Sequence, residues 1–408
     1  MRVLLVTDWN PVPGGVETYV RGLRPALERA GMRVRVLTSS AGSSMDGEAD
    51  VVARGSTRLA SQAVLQVFNP FAWAQMRTAL REFTPDVVHV HSFAYHLSPA
   101  VVLATRDVPV VITLHDYKPI CPLGTKLLPD GRHCTDRAGI VCWRHGCLSL
   151  AHWGRDQARY RLLARALARA SRLLVGSAWM QRALRSEGLR TELAVYPVDA
   201  PAVHHPRRPA AAPTVLYCGR LAREKGVDVL LRAVSGLGPD LASLRALIAG
   251  DGPERHRLER LAGELGVTPQ VSFLGRRTSD QVAELMSAAW AVAVPSQWAE
   301  PFGLVALEAI TQGVPVVATS AGGLADLITD GVTGLTFPVG DHCALAERLS
   351  RLAAGVVFRN HVLDPDVVEP IRRSHAPDRH ASILADIYAR VIEERRGKPS
   401  VAVGFGDR

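Results

Sequence analysis

Short apolar runs of strand length alternate with helix-length stretches along the chain, and they come in two series. In the first, strands are expected at 2–7, 34–38, 87–91, 110–114 and 173–176, with helices near 16–30, 71–83 and 157–170. The second places strands at 214–218, 245–249, 271–274, 291–295 and 314–319. Continuous apolar runs bounded by turn residues suit strands covered on both faces, and their alternation with helices points to parallel sheets. Between the series, 199–213 carries four prolines and no periodicity, as a linker does. At 408 residues the chain exceeds what one compact core holds. The expected fold is therefore α/β, with two Rossmann-like, doubly wound domains facing across a cleft. They would span 1–198 and 214–378, followed by a helix at 379–396 and a frayed tail at 397–408. Ligands of such folds sit at the carboxyl ends of the strands.

Composition narrows the classes. With 47% hydrophobic and 21% charged residues the chain is not disordered throughout. No apolar run approaches a membrane span, and Arg2-Val-Leu-Leu-Val-Thr7 is stopped by Asp8 too early for a signal peptide. A cytoplasmic protein is expected. The net charge of +9 is uneven: residues 1–198 hold 25 Lys+Arg against 15 Asp+Glu, leaving 23 against 24 for the remainder. Arginine bias of the genome would account for this. So would a first domain that meets an anionic surface, either the inner face of a membrane or a phosphorylated acceptor. Basic stretches interleaved with aromatics are lacking and aromatics are 6%, so no nucleic-acid partner is expected.

The densest chemistry lies in Glu300-Pro-Phe-Gly-Leu-Val-Ala-Leu-Glu308, directly after the apolar run ending Pro295-Ser296. Read as strand, loop and helix, this segment puts Glu300 on the loop and Glu308 two turns into the helix. The N–H groups of Gly303 and Leu304 fall between them. Carboxylates bind sugar hydroxyls and a helix N-terminus holds phosphate. Arg220 and Lys225, on the loop after the first strand of the second series, can grip a diphosphate as fork and point charge. Gly250-Asp251-Gly252-Pro253 closes the next strand and brings backbone near a nucleoside. Gly14-Gly15-Val16-Glu17 opens the first helix, where glycines admit a phosphate or simply make a turn. His115 ends an apolar run and can contact sugar hydroxyls or serve only as a structural hydrogen-bonder.

Taken in order, these segments resemble the retaining glycosyltransferases of family four, which have the GT-B fold. The resemblance rests on Gly14-Gly15-Val16-Glu17, Leu114-His115-Asp116, Gly219-Arg220-Leu221 with Glu224-Lys225-Gly226, and Gly250-Asp251-Gly252-Pro253. It continues from Val294-Pro-Ser296 through Glu300 and Glu308 to Gly322-Gly323 and Asp330-Gly-Val-Thr-Gly334. It implies a nucleotide-diphosphate sugar donor and a glycan, lipid-linked or small-molecule acceptor, with no cofactor or metal required for catalysis. By the same resemblance Gly15 contacts the donor phosphate, Arg220 and Lys225 hold the departing diphosphate, and Glu300 faces the sugar hydroxyls. Phe302, Gly303 and Leu304 set N–H groups near sugar and phosphate, Glu308 binds the ribose, and His115 meets the transferred sugar. The helix 379–396 would return to the first domain. Asp326 stands where the family has Glu, and 351–374 lacks the family's long amphipathic helices. A nicotinamide-dependent oxidoreductase is disfavoured because no Gly-x-Gly-x-x-Gly follows either series' first strand. An inactive scaffold would show decayed site positions, and His115, Arg220, Lys225, Glu300 and Glu308 are all present.

Two features fall outside that pattern. Cys121, Cys134, Cys142 and Cys147 cluster in an expected insertion of the first domain, 121–147. Such a cluster suits a structural zinc, with His133 or His145 as substitutes, or free thiols. The stretch 152–172 carries Arg161, Arg165 and Arg169 on one face, which suits a solvated helix or a membrane-surface face.

Overall fold

The computed structural model describes residues 1–8, 14–40, 49–56, 58–198 and 207–397. Among the described residues there are thirteen strands: β1 (Arg2–Val6), β2 (Arg33–Ser39), β3 (Val51–Ala53), β4 (Val87–Val90), β5 (Val110–Thr113), β6 (Arg172–Val175), β7 (Glu192–Leu193), β8 (Thr214–Cys218), β9 (Arg245–Ala249), β10 (Val271–Gly275), β11 (Ala291–Val294), β12 (Val316–Thr319) and β13 (Gly334–Phe337). They form a seven-stranded sheet ordered β3-β2-β1-β4-β5-β6-β7 and a six-stranded sheet ordered β10-β9-β8-β11-β12-β13. The pairings run parallel, as in β1 with β2 and β4, and β8 with β9 and β11. Both are Rossmann-like, with the strand order reversing direction beside the first strand of each sheet.

The apolar runs become strands because both sheet faces are covered. Every residue of β4, β5, β11 and β12 is buried. Proline trims two expected strands: Pro295 ends β11 at Val294, and Pro315 delays β12 to Val316, since a proline cannot donate to a ladder. The short strands β3, β7 and β13 and the helix Leu59–Leu65 lack a long enough apolar run to be read from sequence. Within 351–374 the chain forms the ten-residue helix Pro365–Ser374, capped by Asp364 and burying Val368. The arginine-bearing stretch forms the helix Leu150–Arg169, beginning and ending slightly earlier than the expected 152–172, with Leu163 and Leu167 buried and Arg161 and Arg165 exposed. No described helix is long and apolar enough to cross a membrane.

The chain separates into two compact units. One comprises residues 1–115, 154–174 and those from Asp378 on; the other comprises 116–153 and 175–377. The helix Pro377–Arg396 contributes Tyr388 to the first unit, where its hydroxyl lies 2.6 Å from His89 Nδ1. The segment 116–153 groups with the second unit rather than as an insertion of the first, because its side chains are bonded there. Tyr117 donates to the Ala299 carbonyl at 2.8 Å, and Lys126 pairs with Glu187 at 3.0 Å. Of the expected linker, 199–206 lies outside the described residues, as does the tail from 398.

One turn of the second unit is set by glycine. Gly226 has φ +67°, and a Cβ placed on it would come within 1.9 Å of the Pro295 carbonyl oxygen. The loop after β8 can therefore lie against the loop after β11 only without a side chain at this position. Gly226→Ala should cost at least about 2 kcal/mol in urea unfolding, because left-handed strain and a backbone clash add. Wild-type stability in that variant would refute the close approach.

Candidate active site

The six-stranded sheet reverses direction between β8 and β11, and the loops leaving those two strands bring the expected side chains together. Lys225 Nζ donates to Glu300 Oε1 at 2.7 Å. Ser296 Oγ donates to the same carboxylate oxygen. Glu300 is 7% exposed, so its charge is largely removed from water. Burial would raise its carboxyl, but Lys225, assisted by Ser296, outweighs that and holds it below the ordinary carboxylate range. The Lys225 ammonium also lies 5.4 Å from the centre of the Trp298 ring, a cation–π distance. It carries three N–H donors, so one bond to Glu300 leaves capacity for an anionic ligand.

The backbone around Glu300 is fixed from the far side. Gly322, at φ +70°, leaves room for the Glu300 amide: a Cβ there would lie 2.4 Å from both its nitrogen and its oxygen. Gly323 N–H then donates to the Glu300 carbonyl at 2.6 Å. Gly303 follows at φ +104° and opens the helix Leu304–Thr311 with no side-chain cap. The first N–H groups of that helix have no partner within it, and its dipole end favours an anion. Because the helix starts at Leu304, Glu308 sits about one turn in rather than two. The Glu308 charge, after burial, pushes up the thiol of Cys218 at the end of β8. Phe302 is buried with its ring 4.9 Å from Tyr196.

Arg220 is largely exposed and bonds Glu224 at 2.7 Å, so it stands at the rim of the loop that carries Lys225. Tyr217 supports this loop from beneath by donating to the Arg220 carbonyl at 2.9 Å. Gly252 packs so tightly that a Cβ would meet the Leu221 carbonyl oxygen at 2.4 Å. Arg220, Lys225, Gly252, Glu300, Phe302, Gly303, Leu304 and Glu308 all lie on loops and a helix N-terminus following β8, β9 and β11.

Sequence reading did not find the residues that hold this arrangement. Tyr117 donates to the Ala299 carbonyl and accepts from Trp179 Nε1 at 3.2 Å; its hydroxyl is raised by burial and by the Glu300 charge. Ser177 donates to the Pro301 carbonyl. Asp326 accepts the Trp179 backbone N–H at 2.7 Å. These partners lie far apart in sequence, and no local pattern marks them. Ser296 was visible only as a strand terminator.

In the first unit the expected residues Gly14, Gly15 and His115 follow β1 and β5. Gly14 N–H donates to Glu17 Oε2 at 2.8 Å, and Gly15 begins the helix Gly15–Arg29. Asp8, after β1, accepts the backbone N–H groups of Tyr95, His96 and Leu97 and so shapes the loop after β4. His115 follows β5 and lies with His91 Nδ1 3.2 Å from its Nε2. Burial and nearby His380 push it down to about 3, so its ring is neutral near pH 7.

The zinc expected at Cys121, Cys134, Cys142 and Cys147 does not fit this arrangement. All four are free thiols, and among the described residues no three His, Cys, Asp or Glu side chains are placed to hold a metal ion. His145, a suggested substitute, lies 2.8 Å from Asp136. Burial, and then the neighbouring cysteines, raise the Cys147 thiol to about 11.

Residues 13–197 match the model described as Glycosyltransferase Family 4, and 205–359 match that of Glycosyl transferases group 1. The glycogen synthase of Mycobacterium tuberculosis is 31% identical over 377 residues, covering 85% of this chain and 84% of that one. The chain belongs to this glycosyltransferase family. The D-inositol 3-phosphate glycosyltransferase of Corynebacterium urealyticum is 29% identical, covering 83% of this glycosyltransferase and 82% of its relative. In fold, the glycosyltransferase is similar to the sucrose-phosphate synthase of Thermosynechococcus elongatus, with a TM-score of 0.74 at 23% identity over 96% of this chain and 99% of that one. It is similar also to the Anabaena protein HepE in complex with UDP-glucose, with a TM-score of 0.71 at 21% identity over 96% and 100%. The fold is thus GT-B.

The Lys225–Glu300 pair gives a pH signature. In the wild type the carboxyl is held below its unfolded value of about 4.3, so its contribution is present above that pH and lost as pH falls through the folded value. In Lys225→Ala the ammonium is gone and burial, opposed by the Ser296 hydrogen bond, raises Glu300, so that variant loses stability as pH rises. The difference in melting temperature should therefore be widest near neutrality and shrink toward about pH 4 by calorimetry. A gap that is constant across this range would refute the pairing.

Proposed function

We propose that this glycosyltransferase moves a sugar from a nucleotide-diphosphate sugar to an acceptor hydroxyl with retained anomeric configuration and without a catalytic metal. The acceptor would belong to glycan, polysaccharide or glycolipid assembly. The single observation that carries this reading is the bonded Lys225–Glu300 pair beside an uncapped helix N-terminus where the six-stranded sheet reverses direction.

The residues divide the work by charge. As the bond from the anomeric carbon to the phosphate oxygen breaks, negative charge grows on the departing diphosphate. Lys225, Arg220 and the N–H groups at Gly303 and Leu304 are the groups suited to stabilise it. Glu300, held ionised, accepts from sugar hydroxyls; its bonds to Lys225 and Ser296 disfavour its use as a nucleophile. The acceptor oxygen then attacks on the face the phosphate leaves, and its proton passes to the departing phosphate oxygen. We assign Glu308 to the ribose hydroxyls, Gly252 to the nucleoside, Gly14 and Gly15 to the donor phosphate, and His115 to the transferred sugar.

Relatives and structural neighbours support the donor class. Their names include a glycogen synthase, a D-inositol 3-phosphate glycosyltransferase and a protein crystallised with UDP-glucose. The basic excess of residues 1–198 suits an anionic acceptor or the inner face of a membrane as partner.

A thermal-shift and hydrolysis screen of UDP-, GDP- and ADP-sugars tests the reading, with turnover expected to persist in EDTA. Lys225→Ala and Glu300→Ala should each lower turnover by about a hundredfold or more while circular dichroism stays native. Wild-type kinetics in both variants would favour an inactive nucleotide-sugar-binding subunit, and no shift with any nucleotide would end the proposal.

A further inference from the structure

The first unit buries His89, His91 and His380 to 3% exposure or less and leaves His115 partly exposed at the end of β5. Their bonding is uneven. His89 lies 2.6 Å from the Tyr388 hydroxyl through Nδ1 and 2.7 Å from Thr113 Oγ1 through Nε2. His380 Nε2 is 2.6 Å from the Tyr19 hydroxyl. His91 Nδ1 lies 3.2 Å from His115 Nε2, while the other nitrogen of His91, Nε2, is buried with no hydrogen-bond partner among the described residues. The Tyr19 ring stands beside both, 5.3 Å from His91 and 5.0 Å from His115.

Two neutral imidazoles sharing one hydrogen bond can be arranged in only two senses. If His115 donates through Nε2, then His91 must accept at Nδ1 and carry its own proton on Nε2. That places an N–H inside the protein with nothing to receive it. If His91 donates through Nδ1, its Nε2 is a bare lone pair, and the remaining proton of His115 moves to Nδ1. Buried donors without acceptors are rarer in folded proteins than buried acceptors without donors. The second sense is therefore favoured.

We propose that His91 is a positioning residue: its Nδ1–H donates to Nε2 of His115 and fixes His115 as the Nδ1–H tautomer. This rests on the sugar-contacting role assigned to His115 above. In that tautomer the Nδ1 of His115 carries the proton, so His115 cannot act as a base through Nδ1.

The test uses the full chain labelled with nitrogen-15 histidine, with long-range proton–nitrogen correlation spectra read near neutral pH. His115 cross-peaks are identified by their loss in His115→Gln. In the wild type His115 should show the Nδ1–H pattern. His91→Asn, whose amide nitrogen can replace the Nδ1 donor, should keep that pattern and hold kcat for nucleotide-sugar hydrolysis within about threefold. His91→Leu removes the donor, so His115 should shift to the Nε2–H or a mixed pattern, and kcat should fall about tenfold or more with donor KM little changed. An Nε2–H pattern in the wild type would overturn the proposal, as would equal loss of kcat in both variants. Should His91→Leu fail to fold, the wild-type and His91→Asn spectra still decide. Failure of the wild type to act on any nucleotide-sugar would sink the functional reading but leave the tautomer result standing.

Discussion

A carboxylate taken out of water must be met by a positive charge, and the second unit is arranged around that requirement at Glu300. Lys225 meets it at 2.7 Å from the neighbouring loop. The two loops can approach because Gly226 has no side chain and Gly322 admits the Glu300 backbone. Desolvation alone would raise the carboxyl toward its protonated form, which gives up part of its acceptor capacity and gains a donor. The pair therefore keeps a positive and a negative group side by side. Its position where the six-stranded sheet reverses direction follows from strand order, since ligands of such sheets bind outside the carboxyl ends of the strands at that point.

The two units treat charge differently. In the second, the central acid is kept ionised by a partner cation and a hydroxyl. In the first, the His89–His91–His115 group lies in surroundings where burial removes charge, so its members are neutral and work through hydrogen-bond direction. A charged network adjusts to ligands through Coulomb forces of moderate range. A neutral one discriminates by which nitrogen holds a proton, which demands closer packing. The aromatic rings of Tyr19 and Tyr388 provide that packing.

Family membership and the GT-B fold settle the scaffold but not which side chains hold its loops. The segment 116–153 is one example. It supplies Tyr117, which donates to the Ala299 carbonyl next to Glu300. A stretch marked in sequence mainly by its cysteines thus acts as a buttress for the loop that carries Glu300. Burial, and then the neighbouring cysteines, raise the thiols of Cys142 and Cys147.

The sequence by itself determined the two α/β series, most strand positions within a residue or two, and the loops where chemistry sits. Those properties are written over a few consecutive residues: apolar runs for doubly covered strands, proline for their ends, glycine where backbones touch. It also showed Arg220, Lys225, Glu300, Glu308 and His115 as side chains worth watching. Only the tertiary structure decided that Lys225 and Glu300 bond each other across 75 positions, that Ser296, Tyr117 and Ser177 hold their loop, and that 116–153 groups with the second unit. It alone decided the His91–His115 contact and that, among the described residues, no three of the expected zinc ligands are placed to hold a metal ion. The reason is that such partners are chosen by which strands become neighbours in the sheet, and strand order is a property of the whole packed chain rather than of any window along it.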